Sequence, residues 1–133
     1  MKAFVIEDHP LDMKLLSVLL RDAGHDLVSW SGIEGALAGI RAQRPDVVLL
    51  DLNLSGADGL EIVRAMRANA DTRAIPVLAV TAYPQRYSHA EIVDAGCTGI
   101  IVKPVDTRQL LGQMQRACAS ASGNPAHEPA DRR

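Results

Sequence analysis

Three observations predict an α/β domain built on a parallel sheet with helices on both faces. Short apolar runs recur at residues 3–6, 47–50, 76–80 and 100–102. A strand apolar at every position is buried on both faces, which is the habit of parallel sheets. Longer segments with helical apolar spacing alternate with these runs, and strict alternation implies right-handed crossovers. Finally, 133 residues, 47% hydrophobic and 23% charged, make one globular domain that can hold a core without metal or disulfide staples.

The first strand, 3–6, ends at Glu7-Asp8. Pro10 suits the first turn of the next helix, where its missing N–H is no loss. That helix is predicted over 10–23, with Gly24 as its stop. Residues 27–30 are mixed in polarity, as an edge strand is. A second helix is predicted over 33–41, and Pro45 marks the loop after it. The strand 47–50 ends in Asp51, and a loop over 53–58 leads to a helix over 59–68, where Leu60, Val63 and Met66 keep the period. Pro76 opens the next strand, a position proline tolerates, and that strand ends at Thr81. A helix over 85–95 stops at Gly96, and the last strand, 100–102, ends at Lys103-Pro104. Thr107 is the predicted cap of a final helix carrying Leu110, Leu111, Met114, Ala117 and Cys118 on one stripe. Residues 1–120 form the domain; 121–133, with two prolines, a glycine and no apolar run, read as a disordered tail. Five such strands fit the flavodoxin-like doubly wound order 2-1-3-4-5, with the most apolar strands central and the mixed second strand at an edge.

Charge and composition exclude several classes of function. Lys plus Arg is 14 and Asp plus Glu is 16, so the chain lacks the basic footprint of a nucleic-acid binder. No apolar stretch approaches the ~20 residues of a membrane span, and the opening residues do not form a signal peptide. Cys97 and Cys118 lack a CxxC spacing and read as buried thiols of a reducing, cytoplasmic compartment.

In a parallel sheet every strand C-terminus lies on one edge, where ligands bind. The residues at those ends are Glu7 and Asp8, Asp51, Thr81 and Lys103. Polar residues end strands for no better reason than that loops are wet, but five together, each directly after a buried run, exceed that expectation. Three converging carboxylates raise one another's pKa unless a cation neutralises them. An all-oxygen set without a His or Cys cluster suits a hard cation, Mg²⁺ above all. A cation beside a lysine and a hydroxyl can stabilise the charge of a transferring phosphoryl group, with Asp51 as nucleophile.

Glu7-Asp8, Asp51, Thr81 and Lys103-Pro104 resemble the signature of response-regulator receiver domains of bacterial two-component signalling. The spacing agrees too: 30 residues separate Asp51 from Thr81, and 22 separate Thr81 from Lys103. The resemblance spans residues 1 to about 120. It implies that Asp51 accepts phosphate from a phosphohistidine on a sensor histidine kinase or a histidine phosphotransfer protein. It also implies that Asp8, Asp51 and the backbone carbonyl of Asn53 hold Mg²⁺, with Glu7 acting largely through water. Thr81 and Lys103 would hold the phosphate, small Ala82 would leave room for an incoming imidazole, and Lys103-Pro104 would be cis. Asn53 and Tyr83 would flank the site where relatives tune the phosphoryl lifetime.

The chain departs from the family's pattern at Ser55, where relatives carry Pro, and at Ile100, where they often carry an aromatic ring that turns on activation. Isoleucine is stiff at χ1 and has no ring to swing, which leaves Tyr83 as either a substitute aromatic sensor or a half-exposed loop residue. The helix after the first strand is apolar on two faces. Met13, Leu16, Leu20 and Ala23 suffice to face the sheet, which leaves Leu11, Leu15 and Val18 for partner docking, a homodimer contact or over-packing. The leading reading is a stand-alone receiver that signals or relays through protein contacts and is not an enzyme in the ordinary sense. The alternatives are a pseudo-receiver interaction module without a working switch, an aspartyl-phosphate phosphatase and a flavin-binding domain. The phosphatase reading suffers because Asn53 stands where a second Asp is expected, the flavin reading because no Ser/Thr-rich phosphate loop follows the first strand.

Overall fold

Side-chain alternation along the apolar runs sorts the core into two layers divided by a sheet. The structure, a computed structural model, describes residues 1–54, 58–82 and 87–121. Five strands are β1 (Lys2–Ile6), β2 (Asp26–Trp30), β3 (Val47–Asp51), β4 (Val77–Thr81) and β5 (Gly99–Val102). All pair in parallel, in the predicted order β2-β1-β3-β4-β5. β3 and β4 are buried at every residue, whereas edge strand β2 exposes Asp26 and Ser29. The helices are α1 (Pro10–Asp22), α2 (Ala36–Gln43), α3 (Leu60–Ala68), α4 (His89–Ala95) and α5 (Thr107–Ala121).

Phe4, Ile6, Val48, Leu50, Val77 and Ala79 pack with residues of α2, α3 and α4, and Ile100 lies against that layer. Ala3, Val5, Val47, Leu49, Leu78, Val80 and Ile101 pack with Leu16 and Leu20 of α1 and Leu110, Met114 and Ala117 of α5. Period-two alternation therefore decides which layer each strand-end residue joins. Glu7, Asp51 and Lys103 continue the row toward α1 and α5, while Thr81 continues the row of Val77 and Ala79.

Four helix details differ from the sequence expectation. α1 ends at Asp22, and Ala23 is its exposed C-cap rather than part of the buried face. α2 starts at Ala36 rather than 33, because Gly32 and Gly35 take positive φ and fold the preceding residues into a turn. α4 starts at His89 rather than 85, behind a reciprocal capping box in which Ser88 and Glu91 satisfy each other's backbone N–H. α5 is capped by Asp106, whose Oδ1 accepts the Arg108 N–H at 2.9 Å; Thr107 is its first helical residue. Cys97 and Cys118 are free, partly buried thiols. No helix among the described residues is long and apolar enough to cross a membrane.

Candidate functional site

The register carries two acids to one place. Ile6 pairs with Leu50, so the next residues, Glu7 and Asp51, emerge side by side at the C-terminal rim. Both are almost fully buried, at 2% and 3% exposure, whereas neighbouring Asp8 is exposed. One carboxylate oxygen from each of Glu7, Asp8 and Asp51 lies within 4.8 Å of the others. Lys103, reached from β5 on the same row, places Nζ 3.2 Å from Glu7 Oε1 and 3.3 Å from Asp51 Oδ2. The Lys103-Pro104 peptide is cis.

Burial pushes the Glu7 carboxyl up to about 7, helped by its hydrogen bond with Asp51 and by repulsion from that carboxylate; Lys103 and the His9 N–H oppose the rise. Burial acts against the Lys103 ammonium, but Asp12, Asp51 and Glu7 together hold its pKa above the usual lysine value. The rim is thus an anionic pocket, closed by one ammonium, whose oxygens lack enough positive charge. Crowded carboxylate oxygens without nitrogen or sulfur ligands fit a hard divalent cation.

Asn53 organises the other side of the pocket. Its N–H donates to Asp51 Oδ1 at 2.8 Å, which leaves Oδ2 facing Lys103. Its Oδ1 accepts from the Thr81 hydroxyl at 3.0 Å and the Ala82 N–H at 3.3 Å. Glu7, Asp8, Asp51, Asn53, Thr81, Ala82 and Lys103 therefore form one connected constellation. Ile100 is partly buried against the α2–α4 layer, on the row opposite Lys103. Leu11, Leu15 and Val18 lie outside the constellation, exposed on α1. Tyr83 and Ser55 fall outside the described residues.

Two contacts have no counterpart in the sequence reading. Asp12 Oδ2 makes the shortest contact to Lys103 Nζ, at 2.7 Å. Its signal was available: Asp12, Leu16 and Leu20 form one i, i+4 row, and both leucines are buried. The second is Tyr87, whose hydroxyl donates to Asp58 Oδ1 at 3.0 Å and joins the segment before α4 to the segment before α3. Nothing local in sequence announces that pair.

Known proteins resemble this chain along most of its length. The profile of the response regulator receiver domain matches residues 3–115. The polar-differentiation response regulator DivK of Brucella anthropi is 33% identical over 108 residues, covering 80% of this chain and 87% of that protein. DivK of Brucella ovis matches to the same extent. Among solved structures, the receiver domain of the Pseudomonas aeruginosa sensor histidine kinase PA1611, with a magnesium ion in its active-site cleft, superposes with a TM-score of 0.81. It shares 26% identity and covers 90% of this chain and 98% of that one. The Vibrio cholerae chemotaxis response regulator CheY4 gives a TM-score of 0.78 at 30% identity, covering 87% of this chain and 97% of its own. A profile match over most of the chain, together with curated relatives aligned along most of their own length, shows that the chain belongs to the response-regulator receiver family.

Proposed function

We propose that this receiver is a Mg²⁺-dependent phospho-acceptor that takes a phosphoryl group on Asp51 from a phosphohistidine donor. The donor is a sensor histidine kinase or a histidine phosphotransfer protein, and the output is protein contact or relay from a cytoplasmic domain spanning residues 1–120. The observation that carries this reading is the buried Asp51 carboxylate, with Glu7 and Asp8 beside it and the Lys103 ammonium 3.3 Å from Oδ2. The Asp51 carboxylate attacks phosphorus, the donor's P–N bond breaks, and the departing imidazole keeps the electron pair and takes a proton. Bound Mg²⁺ would supply charge neutralisation at the phosphoryl oxygens. Asp8, Asp51 and the Asn53 carbonyl would hold it, with Glu7 acting through water. Lys103 contributes a fixed positive charge on the other flank. The Thr81 hydroxyl and the Ala82 N–H, both engaged by Asn53 Oδ1, are the donors that turn to the phosphoryl group.

A second reading, a pseudo-receiver that binds partners without switching, draws on Ile100, which cannot act as a swinging ring. One experiment separates the two. Incubation with Mg²⁺ and acetyl phosphate, followed by intact-mass measurement, should show one added phosphoryl group that Asp51→Asn lacks. A parent protein that never gains mass and never forms a beryllofluoride adduct leaves only the pseudo-receiver.

A further inference from the structure

The ammonium of Lys103 has three N–H donors and three carboxylates around it, and the shortest contact is to a residue outside the acid cluster. Nζ lies 2.7 Å from Asp12 Oδ2, against 3.2 Å to Glu7 and 3.3 Å to Asp51. Asp12 sits in the first turn of α1, at the head of the inward row that continues through Leu16 and Leu20. The packing of those leucines against β1 and β3 fixes the height of Asp12 over the rim.

The three anions are not equivalent once a divalent cation enters. Glu7 and Asp51 belong to the group that could hold the metal; Asp12 does not. A dication there neutralises Glu7 and Asp51 and repels an ammonium a few ångströms away. The flexible lysine stem would then swing out, because rotamer freedom favours release. Asp12 is the carboxylate still able to hold the ammonium in the cleft.

The geometry points to Asp12 as a positioning residue for phosphoryl acceptance: its carboxylate anchors the Lys103 ammonium to α1 and keeps it beside Asp51 while the cation is bound. This rests on the reading of Asp51 as phospho-acceptor. His9 lies 3.7 Å from the same Asp12 oxygen and is solvent-exposed, so it flanks the tether without replacing it.

The test is the initial rate of phosphorylation by acetyl phosphate, followed by intact mass over a Mg²⁺ series. It compares the parent, Asp12→Ala, Asp12→Glu, Lys103→Ala and the Asp12→Ala/Lys103→Ala double variant. At saturating Mg²⁺, Asp12→Ala should slow capture by about ten-fold, the scale of one charge-assisted contact. Mg²⁺ affinity, read by calorimetry, should also fall in Asp12→Ala, because an ammonium without Asp12 rests on Glu7 and Asp51 and competes with the cation, and this loss should vanish in the Lys103→Ala background. Asp12→Glu should recover most of the rate, and the double variant should be no slower than Lys103→Ala alone. A purely structural role would leave Asp12→Glu as slow as Asp12→Ala and would add to the Lys103→Ala defect; that result overturns the proposal. So does an Asp12→Ala protein that is phosphorylated as fast as the parent, which leaves the Asp51 reading intact. A parent that gains no phosphoryl group overturns both.

Discussion

Glu7 makes the metal-free protein lose stability as pH rises from acid to neutral. Its carboxyl lies near 7 in the folded chain and at 4.5 without the fold. Below about pH 4.5 both forms carry the proton, and the contribution to stability is fully present. Between the two values the folded state binds more protons than the unfolded state, so unfolding becomes easier as pH rises. Above about 7 the loss is complete. The interval of 2.5 units corresponds to about 3.4 kcal/mol at 1.36 kcal/mol per unit, an upper bound for this buried pair. For a domain of this size that approaches a 10 °C change in Tm. The perturbation is Glu7→Gln, which keeps the shape and removes the titration. The assay is urea unfolding in chelator at about pH 5, 6, 7 and 8. The variant should gain on the parent as pH rises, by up to about 3 kcal/mol in total, and Mg²⁺ should return most of that gain to the parent. A stability difference that stays flat from pH 5 to 8, or a parent that gains on the variant, refutes the reasoning.

Other outcomes follow from named contacts. Asp51→Asn should abolish phosphoryl acceptance yet unfold no earlier in urea than the parent at about pH 8 without Mg²⁺, because it removes the charge that crowds Glu7. Lys103→Ala should stay folded, bind Mg²⁺ more tightly by calorimetry, and accept phosphate at least ~10-fold more slowly, since it strips both a competing cation and the phosphoryl-facing charge. Burial pushes the Cys97 thiol up to about 11 from 9.0, against the pull of Arg67, so at about pH 8 iodoacetamide should alkylate it about 100-fold more slowly in the native chain than in urea. Gly96→Ala should lower stability by about 2 kcal/mol in urea titrations. Gly96 has φ 111°, a Cβ there would sit 2.7 Å from Arg67 Cγ, and the Arg67 guanidinium donates to the Gly96 carbonyl at 2.8 and 3.0 Å.

The strands were legible because burial on both faces leaves continuous apolar runs, and the acids after those runs were legible because strand ends share one edge. Helix starts were harder. Ser88 and Glu91 spell a capping box, which places the start of the helix after the expected 85. Asp106 and Thr107 are both competent caps, and only the backbone turn decides between them. Asn53 lies 28 residues from Thr81, so its hold on the hydroxyl is a product of tertiary structure. Asp12 is hidden differently: its partner Lys103 lies 91 residues away, and nothing near Asp12 in sequence, beyond the inward row it heads, marks it as more than a first-turn acid.

The division of the rim by strand parity means that a phosphoryl group on Asp51 would address two audiences. Asp51, Glu7 and Lys103 lie on the side of the α1–α5 layer, where Lys103 pairs with Asp12 of α1, while Thr81 continues the row that contains β4's contribution to the α2–α4 layer, where Ile100 also rests. A protein wired in this way can lose its voice on one side and keep it on the other. Substitutions that silence one partner while sparing a second should therefore segregate by layer rather than by distance from the aspartate.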